Sequence, residues 1–498
     1  MPAGLAAERV RSLLRAGRPG EALAWLAQRP SDPSPAPELE RLRAQALLDH
    51  GSPVAAAEAF SAVLAILPAD GPAALGLAMA LGESGRSSDA VAAAERAIAS
   101  GEDHAVAHYV LGRALLDSHR PDEAEARWRA LLQRFPDHAA THESLSELLW
   151  MRSGDLAQAR HALDAAVRQW PDRGDLRILL ARLLGTAGDD DTAAALVEEG
   201  IARMPTHVGL RLAAARHRLA HAPALALGHA QAALQAAPAA APVIAAYADA
   251  LLANGLAQQA AVLAERLHAA NPGDSHALAL LATAWRVLDD PRRATLVDYQ
   301  RYVQTRLIDT PQDWPDLPSY LAALAQELQR LHHWQAHPVD QTLRSGSQVA
   351  LYPDFAAEPA VRAFPRAIAR SIEDYLSSIG NGQDVMGRRN SGCYRYNGMW
   401  SVQLHSQGHH LNHFHSRGWI SSACYIALPD GVGTASGDGW LTFGAPATPT
   451  PRALPPEYLV RPEPGLLVLF PSWMWHGTVP FHTPQQTRLT IAFDLLPG

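Results

Sequence analysis

One small residue recurs through the first part of the chain on a nearly fixed beat: Ala22, Ala56, Ala90, Ala124, Ala159, Ala193, Ala226, Ala260 and Ala294. The steps are 34, 34, 34, 35, 34, 33, 34 and 34 residues. A second series precedes the first by about twelve positions, at Ala44, Ala78, Gly112, Ser146, Ala181, Ala215, Ala248 and Ala282. Prolines keep the same beat at Pro68, Pro136, Pro171, Pro205, Pro238 and Pro272. Residues 1 to about 305 are otherwise rich in Ala and Leu, which favours helix. A period of this length constrains the fold strongly. Each unit is two antiparallel helices that cannot bury their apolar faces alone, so neighbours must stack. Small residues belong where the two helices touch, because a bulky side chain there would push them apart. Proline closes the unit because it cannot continue the second helix. An ordinary alanine-rich bundle gives no reason for nine alanines to stay in register.

This pattern resembles the tetratricopeptide repeat. The resemblance implies eight to nine units over residues 1–305, stacked into a solenoid whose concave face binds peptides or proteins, with no ligand named by the repeat itself. The first unit, near residues 3–30, is followed by "RPSDPSPAPE", which reads as a cap or an irregular repeat. Residues 306–345 read as a connecting helix and linker: in "SYLAALAQELQRL", Leu321, Leu324, Leu328 and Leu331 fall on one helical face.

After about residue 345 the texture changes. Trp, Tyr, Val, Gly and Pro rise, and short apolar runs appear between turn signals: "MWSVQL" (399–404), "SACYIAL" (422–428), "GWLTFG" (439–444), "GLLVLFP" (465–471) and "TRLTIAFDLL" (487–496). Strands of this length and spacing predict an antiparallel sandwich or barrel such as a jelly roll over 346–498, with the helix 358–379 on its outside. The fold expected is therefore multidomain: an all-α solenoid, then a double-stranded β-helix with flanking helices. The formal charge of −8 and pI near 6.3 argue against a nucleic-acid partner. Only Cys393 and Cys424 are present, which excludes a disulfide scaffold and suits a reducing compartment. The N-terminus lacks the apolar core of a signal peptide, and no run is long enough to span a membrane. These features predict a soluble cytoplasmic protein.

The stretch "HHLNHFH" (409–415) crowds four imidazoles into seven positions. In an extended chain, side chains two apart share a face, so His413 and His415 can grip one metal ion together. A bare His-x-His is more often surface decoration, and a third ligand must come from elsewhere. "VLFPSWMWHGTVPF" offers His476, directly after an apolar run. Twelve residues on comes Arg488, inside the last strand, with Thr490 on the same face. A lone arginine in "TRLTIAF" is costly to bury unless it meets an anion, either an ion-pair partner such as Asp494 or a ligand carboxylate held by guanidinium and hydroxyl together. Tyr425 is either core or a hydrogen-bonding group beside that ligand. Trp473 and Trp475 read as a dry wall around His476, His409 and His410 as outer or surface groups, and His405 or Asp438 as weaker substitute ligands.

The matches "GHHLNHFH", "SSACYIALP", "PEPGLLVLFPSWMWHGT" and "RLTIAFD" resemble the 2-oxoglutarate- and Fe(II)-dependent dioxygenases, and within them a bacterial and phage branch that reads His-x-His, a distal His, then Arg-x-Ser. The likeness covers about 337–498. It implies Fe(II) on His413, His415 and His476, with 2-oxoglutarate as co-substrate held by Arg488, Thr490 and Tyr425, and dioxygen consumed to give succinate, CO2 and an oxidised substrate. Most of the superfamily has a carboxylate where His415 stands, so either three imidazoles bind the ion or only two do. A solenoid of some 300 residues fused to an oxygenase implies a protein or peptide substrate, hydroxylated after recruitment by the concave face. Two other readings stay open: a cupin-like metal enzyme that needs no oxoglutarate, and an inactive binding scaffold.

Overall fold

The structure, a computed structural model, describes residues 3–28, 36–433 and 437–498. Most of the Pro/Ser-rich insertion lies outside the described residues. The chain forms two compact units that divide between Leu148 and Leu149. Among the described residues, eight helix pairs and a seventeenth helix, Ser275–Val287, run from Ala3 to Val287. From Ala22 to Ala260 the in-register alanines lie on the second helices and are at most 1% exposed. The ninth, Ala294, falls on a short 3-10 turn, Pro291–Thr295, and is exposed, so the last unit keeps only its first helix. The earlier small residues lie on first helices. Packing is tightest at Gly112, where a Cβ would stand 2.2 Å from the indole nitrogen of Trp128. The residue before each closing proline has left the helical region, for example Leu67 at φ −120°, ψ 81° and Phe135 at φ −132°, ψ 71°. That is the steric effect a proline ring has on its predecessor.

Among the described residues the first unit holds helices and turns and no strand. The second holds the later helix pairs and nine β-strands: β1 (Gln304–Leu307), β2 (Leu343–Ala350), β3 (Tyr394–His410), β4 (Ile420–Ala427), β5 (Leu441–Phe443), β6 (Tyr458–Val460), β7 (Leu466–Pro471), β8 (His476–Thr478) and β9 (Arg488–Pro497). They make a six-stranded sheet in the order β1-β7-β4-β9-β3-β2 and a three-stranded sheet β6-β5-β8, antiparallel throughout. The rings of Phe443 on β5 and Phe470 on β7 meet at 5.0 Å, closing the two sheets on each other. The helices Leu317–Leu331 and Pro359–Ile379 cover the large sheet; Leu321, Leu324 and Leu328 are buried there, as their shared face requires.

One hydrophobic core runs from Ile244 and Leu281 through Tyr320 and Ile368 to Leu467 and Leu495, so later helices and sheet are built as one body. The first helices of successive later pairs, Gly174–Thr186, Val208–Arg218, Ala241–Ala253 and Ser275–Val287, pack on one another, which sets them on the inner side of the array. That side meets the chain's own C-terminal part. Trp150 Nε1 donates to the carbonyl of His337 at 2.9 Å. Arg182 and Arg216 both reach Asp340, the latter at 2.9 Å. Thr448 donates to Asp249 at 2.6 Å, and Ser275 to the carbonyl of Gly418 at 3.2 Å.

Candidate metal centre

The histidine-rich segment continues β3 beyond its last strand residue. Its backbone is fixed against β8 by a reciprocal bridge: the amides of His413 and His476 each donate to the other's carbonyl at 2.8 Å. The amide of His415 donates to the carbonyl of Ser472 at 2.8 Å. Gly477 permits the crossing, since a Cβ there would lie 2.4 Å from Asn412 Oδ1. The three imidazoles converge. Ring centroids are 4.1 Å apart for His413–His476 and 5.1 Å for the other two pairs. One nitrogen from each lies within 4.8 Å of the others.

Tautomers follow from the acceptors. His413 Nδ1 lies 2.8 Å from the carbonyl of Leu411, and His476 Nδ1 lies 2.9 Å from that of Met474. A carbonyl only accepts, so both Nδ1 atoms carry the proton and both Nε2 lone pairs are free. His415 Nδ1 donates to Asp494 Oδ1 at 2.6 Å. His413 Nε2 and His415 Nε2 face each other at 3.2 Å, and the neutral His413 brings no proton to that gap. Metal–nitrogen bonds of about 2.1 Å at a right angle place two nitrogens about 3 Å apart, so a divalent ion suits the gap. Burial holds the pKa of His413 down at about 3, with the neighbouring His415 adding to the effect. Burial, then His413 and His415, hold His476 well below its ordinary value. Both rings are neutral at pH 7, the form that binds metal.

Beside them lies a cradle for an anion. Arg488 and Thr490 on β9 pair with Leu404 and Val402 of β3, and Thr490 also with Tyr425 of β4. Arg488 is 2% exposed, and its guanidinium stands 5.0 Å over the Tyr425 ring. Its Nη1 donates to the carbonyl of Gly439 at 3.0 Å, while Nε has no partner. The hydroxyl of Tyr425, fully buried, also has none. A buried charged donor left unpaired costs about 1–3 kcal/mol or more, so a cation and a hydroxyl waiting together call for an acceptor from outside the chain.

His413, His415 and His476 converge, and Arg488 and Thr490 on β9 meet Tyr425 on β4; the aromatic wall differs from sequence expectation. Asp494 pairs with His415, not Arg488. His405 is exposed, inside a bulge of β3 where Gln407 takes φ +66°, and Asp438 is not in the histidine group. Trp473 and Trp475 send their indoles to the carbonyl of Leu296 (3.2 Å) and the hydroxyl of Thr283 (2.9 Å), tying the loop to the helical array. The aromatic wall is instead Phe470 and Phe443, at 4.6 and 6.2 Å from the His476 ring, with Trp400 at 5.8 Å from His415. Sequence reasoning missed Asp494 as a histidine partner, although it lies an even number of residues from Arg488 and so on the same strand face.

A family model described as "Putative 2OG-Fe(II) oxygenase" matches residues 398–494, and models of the tetratricopeptide repeat match 7–71, 81–148 and 151–216. The chain joins tetratricopeptide repeats to a 2OG-Fe(II) oxygenase domain. The oxygenase match spans β3 to β9 and so contains every residue of the cluster. Among solved structures, a tetratricopeptide repeat protein from Parabacteroides merdae is similar at 16% identity over 50% of this chain and 98% of its own, with a TM-score of 0.36. One from Thermus thermophilus is similar at 27% identity over 36% and 97%, with a TM-score of 0.28. A Pseudomonas putida prolyl-4-hydroxylase is similar at 16% identity over 40% and 96%, with a TM-score of 0.29. No curated protein matches the chain. Among the described residues no helix is long and apolar enough to cross a membrane.

Proposed function

We propose that the protein is a 2-oxoglutarate- and Fe(II)-dependent dioxygenase that hydroxylates a protein or peptide. His413, His415 and His476 would hold the iron through Nε2, and Arg488, with Tyr425 and Thr490, would hold the far carboxylate of 2-oxoglutarate. Bound iron supplies the redox chemistry that couples decarboxylation of 2-oxoglutarate to oxidation of a substrate C–H bond. The chain's part is positional. Three backbone-anchored imidazoles present lone pairs to one point, Arg488 fixes the diacid by charge and Tyr425 by its hydroxyl, and Phe443 and Phe470 keep water from that side. The observation that carries this reading is the unpaired Nε of Arg488, whose guanidinium stands over the ring of Tyr425, a residue whose hydroxyl is also unpaired. A metal enzyme with no use for a diacid gives no reason for that pair.

The division of labour proposed is the one drawn from the sequence: 1–305 as the repeat array, 306–345 as connector, 346–498 as the catalytic domain. Inner-side helices of the later repeats are engaged by the chain's own segments. Recruitment is therefore assigned to the first-helix face of the repeats before Leu148, with action in the cytoplasm. The test is anaerobic loading with iron, then oxygen uptake coupled to succinate release and a +16 Da product among lysate peptides. Arg488→Lys should raise the KM for 2-oxoglutarate about 10–100-fold, the loss of a charged hydrogen-bond set. Metal-dependent oxygen uptake that needs no 2-oxoglutarate and survives Arg488→Lys would favour the cupin-like alternative, and no oxygen uptake at all an inactive scaffold.

A further inference from the structure

The three histidines differ in what lies behind them. His413 and His476 donate to neutral backbone carbonyls, while His415 donates to the carboxylate of Asp494 at 2.6 Å. Asp494 is 7% exposed. Its Oδ1 also accepts from Ser421 Oγ at 2.7 Å, and Ser421 is 2.8 Å from Ser472 Oγ. Among the described residues no lysine or arginine forms an ion pair with Asp494, whose charged-group partner is His415. A buried carboxylate without a cation is expensive, and removing it from a metal-free fold relieves that cost. The same charge becomes favourable once a divalent ion binds the far side of the His415 ring.

From this geometry we infer that Asp494 is a positioning residue for the metal, supplying through the His415 ring the negative charge that a coordinating carboxylate would otherwise bring. The inference rests on the three-histidine reading of the site and adds a reason for it. With no carboxylate on the ion itself, one is placed a ring's width away, where it fixes the tautomer of His415 and strengthens the ring as a donor. Loss of such an outer partner lowers metal affinity by about 10–100-fold.

The test compares the full chain with Asp494→Asn and Asp494→Ala. Co(II) serves as the probe, followed by its visible absorption and by calorimetry, with thermal melting recorded with and without metal. Asp494→Asn keeps the shape and an acceptor oxygen. It is expected to bind Co(II) at least tenfold more weakly while its metal-free form melts no lower than the parent. Asp494→Ala is expected to bind more weakly again. A Co(II) affinity within threefold of the parent for Asp494→Asn overturns the inference. So does an affinity loss accompanied by a matching drop in metal-free melting temperature, since that marks a merely structural residue. A parent chain that binds no Co(II) overturns the three-histidine reading itself, and the inference with it.

Discussion

At the scale of single residues, burial keeps His413 and His476 neutral far below the pH at which they would charge in water. His413 is neutral because burial, and then His415 beside it, depress its pKa to about 3. In the unfolded chain the same ring titrates near its ordinary value of about 6.5. The unfolded state therefore binds the extra proton first as pH falls, and metal-free stability is lost progressively from about pH 6.5 toward the depressed value. His476 and His410, both held low chiefly by burial, act in the same direction. The urea midpoint of the metal-free chain should fall between pH 7 and pH 5, and His413→Asn, which cannot take up that proton, should fall less over the same interval. Equal slopes would mean that His413 is not held neutral in the folded chain.

At the scale of elements, the repeat rests on close approach between paired helices, and Gly112 is where that approach is nearest. Trp128 lies flat enough on the Ala105–Asp117 helix that a methyl group would overlap its ring. Gly112→Ala should cost about 1–3 kcal/mol, the usual penalty for overpacking, even though alanine favours helix. Replacing Trp128 by Leu in that background should recover part of the loss, read as the melting temperature of the double variant against each single one. The helical rhythm was legible because it repeats: the alanines, the glycine at 112 and the closing prolines each mark the same step of packing. The strands of the site were legible one by one, since alternation places Arg488 with Thr490 and His413 with His415. What one strand cannot reveal is its neighbour. That Asp494 meets His415, and that Trp475 reaches Thr283 and not the site, depends on which strands and helices come together. β1 escaped notice for the same reason: Gln304–Leu307 is four residues of ordinary polarity, made a strand by pairing with β7.

At the scale of the whole molecule, the change of texture between residues 305 and 345 marks a change of secondary structure and not an end to packing. The core that holds Leu281 and Trp285 also holds Leu467 and Leu495, and Trp475, one residue before His476, hydrogen-bonds the Ser275–Val287 helix. A chain cut before residue 306 would therefore expose Trp473, Trp475 and the sheet edge that Tyr299 and Arg286 cover through Glu457. A chain that begins at Ala139, the start of a helix, keeps the second unit whole. The shorter piece should aggregate or melt without a cooperative transition. The longer one should melt cooperatively, bind Co(II) with the parent's affinity and consume 2-oxoglutarate slowly without a partner, yet lose turnover of the protein substrate. Circular dichroism melting, Co(II) titration and +16 Da product formation on the two pieces separate these outcomes. If the chain from Ala139 still hydroxylates its protein substrate at the parent's rate, the early repeats do not recruit it. If the chain from residue 306 folds and binds metal normally, the shared core does not support the site.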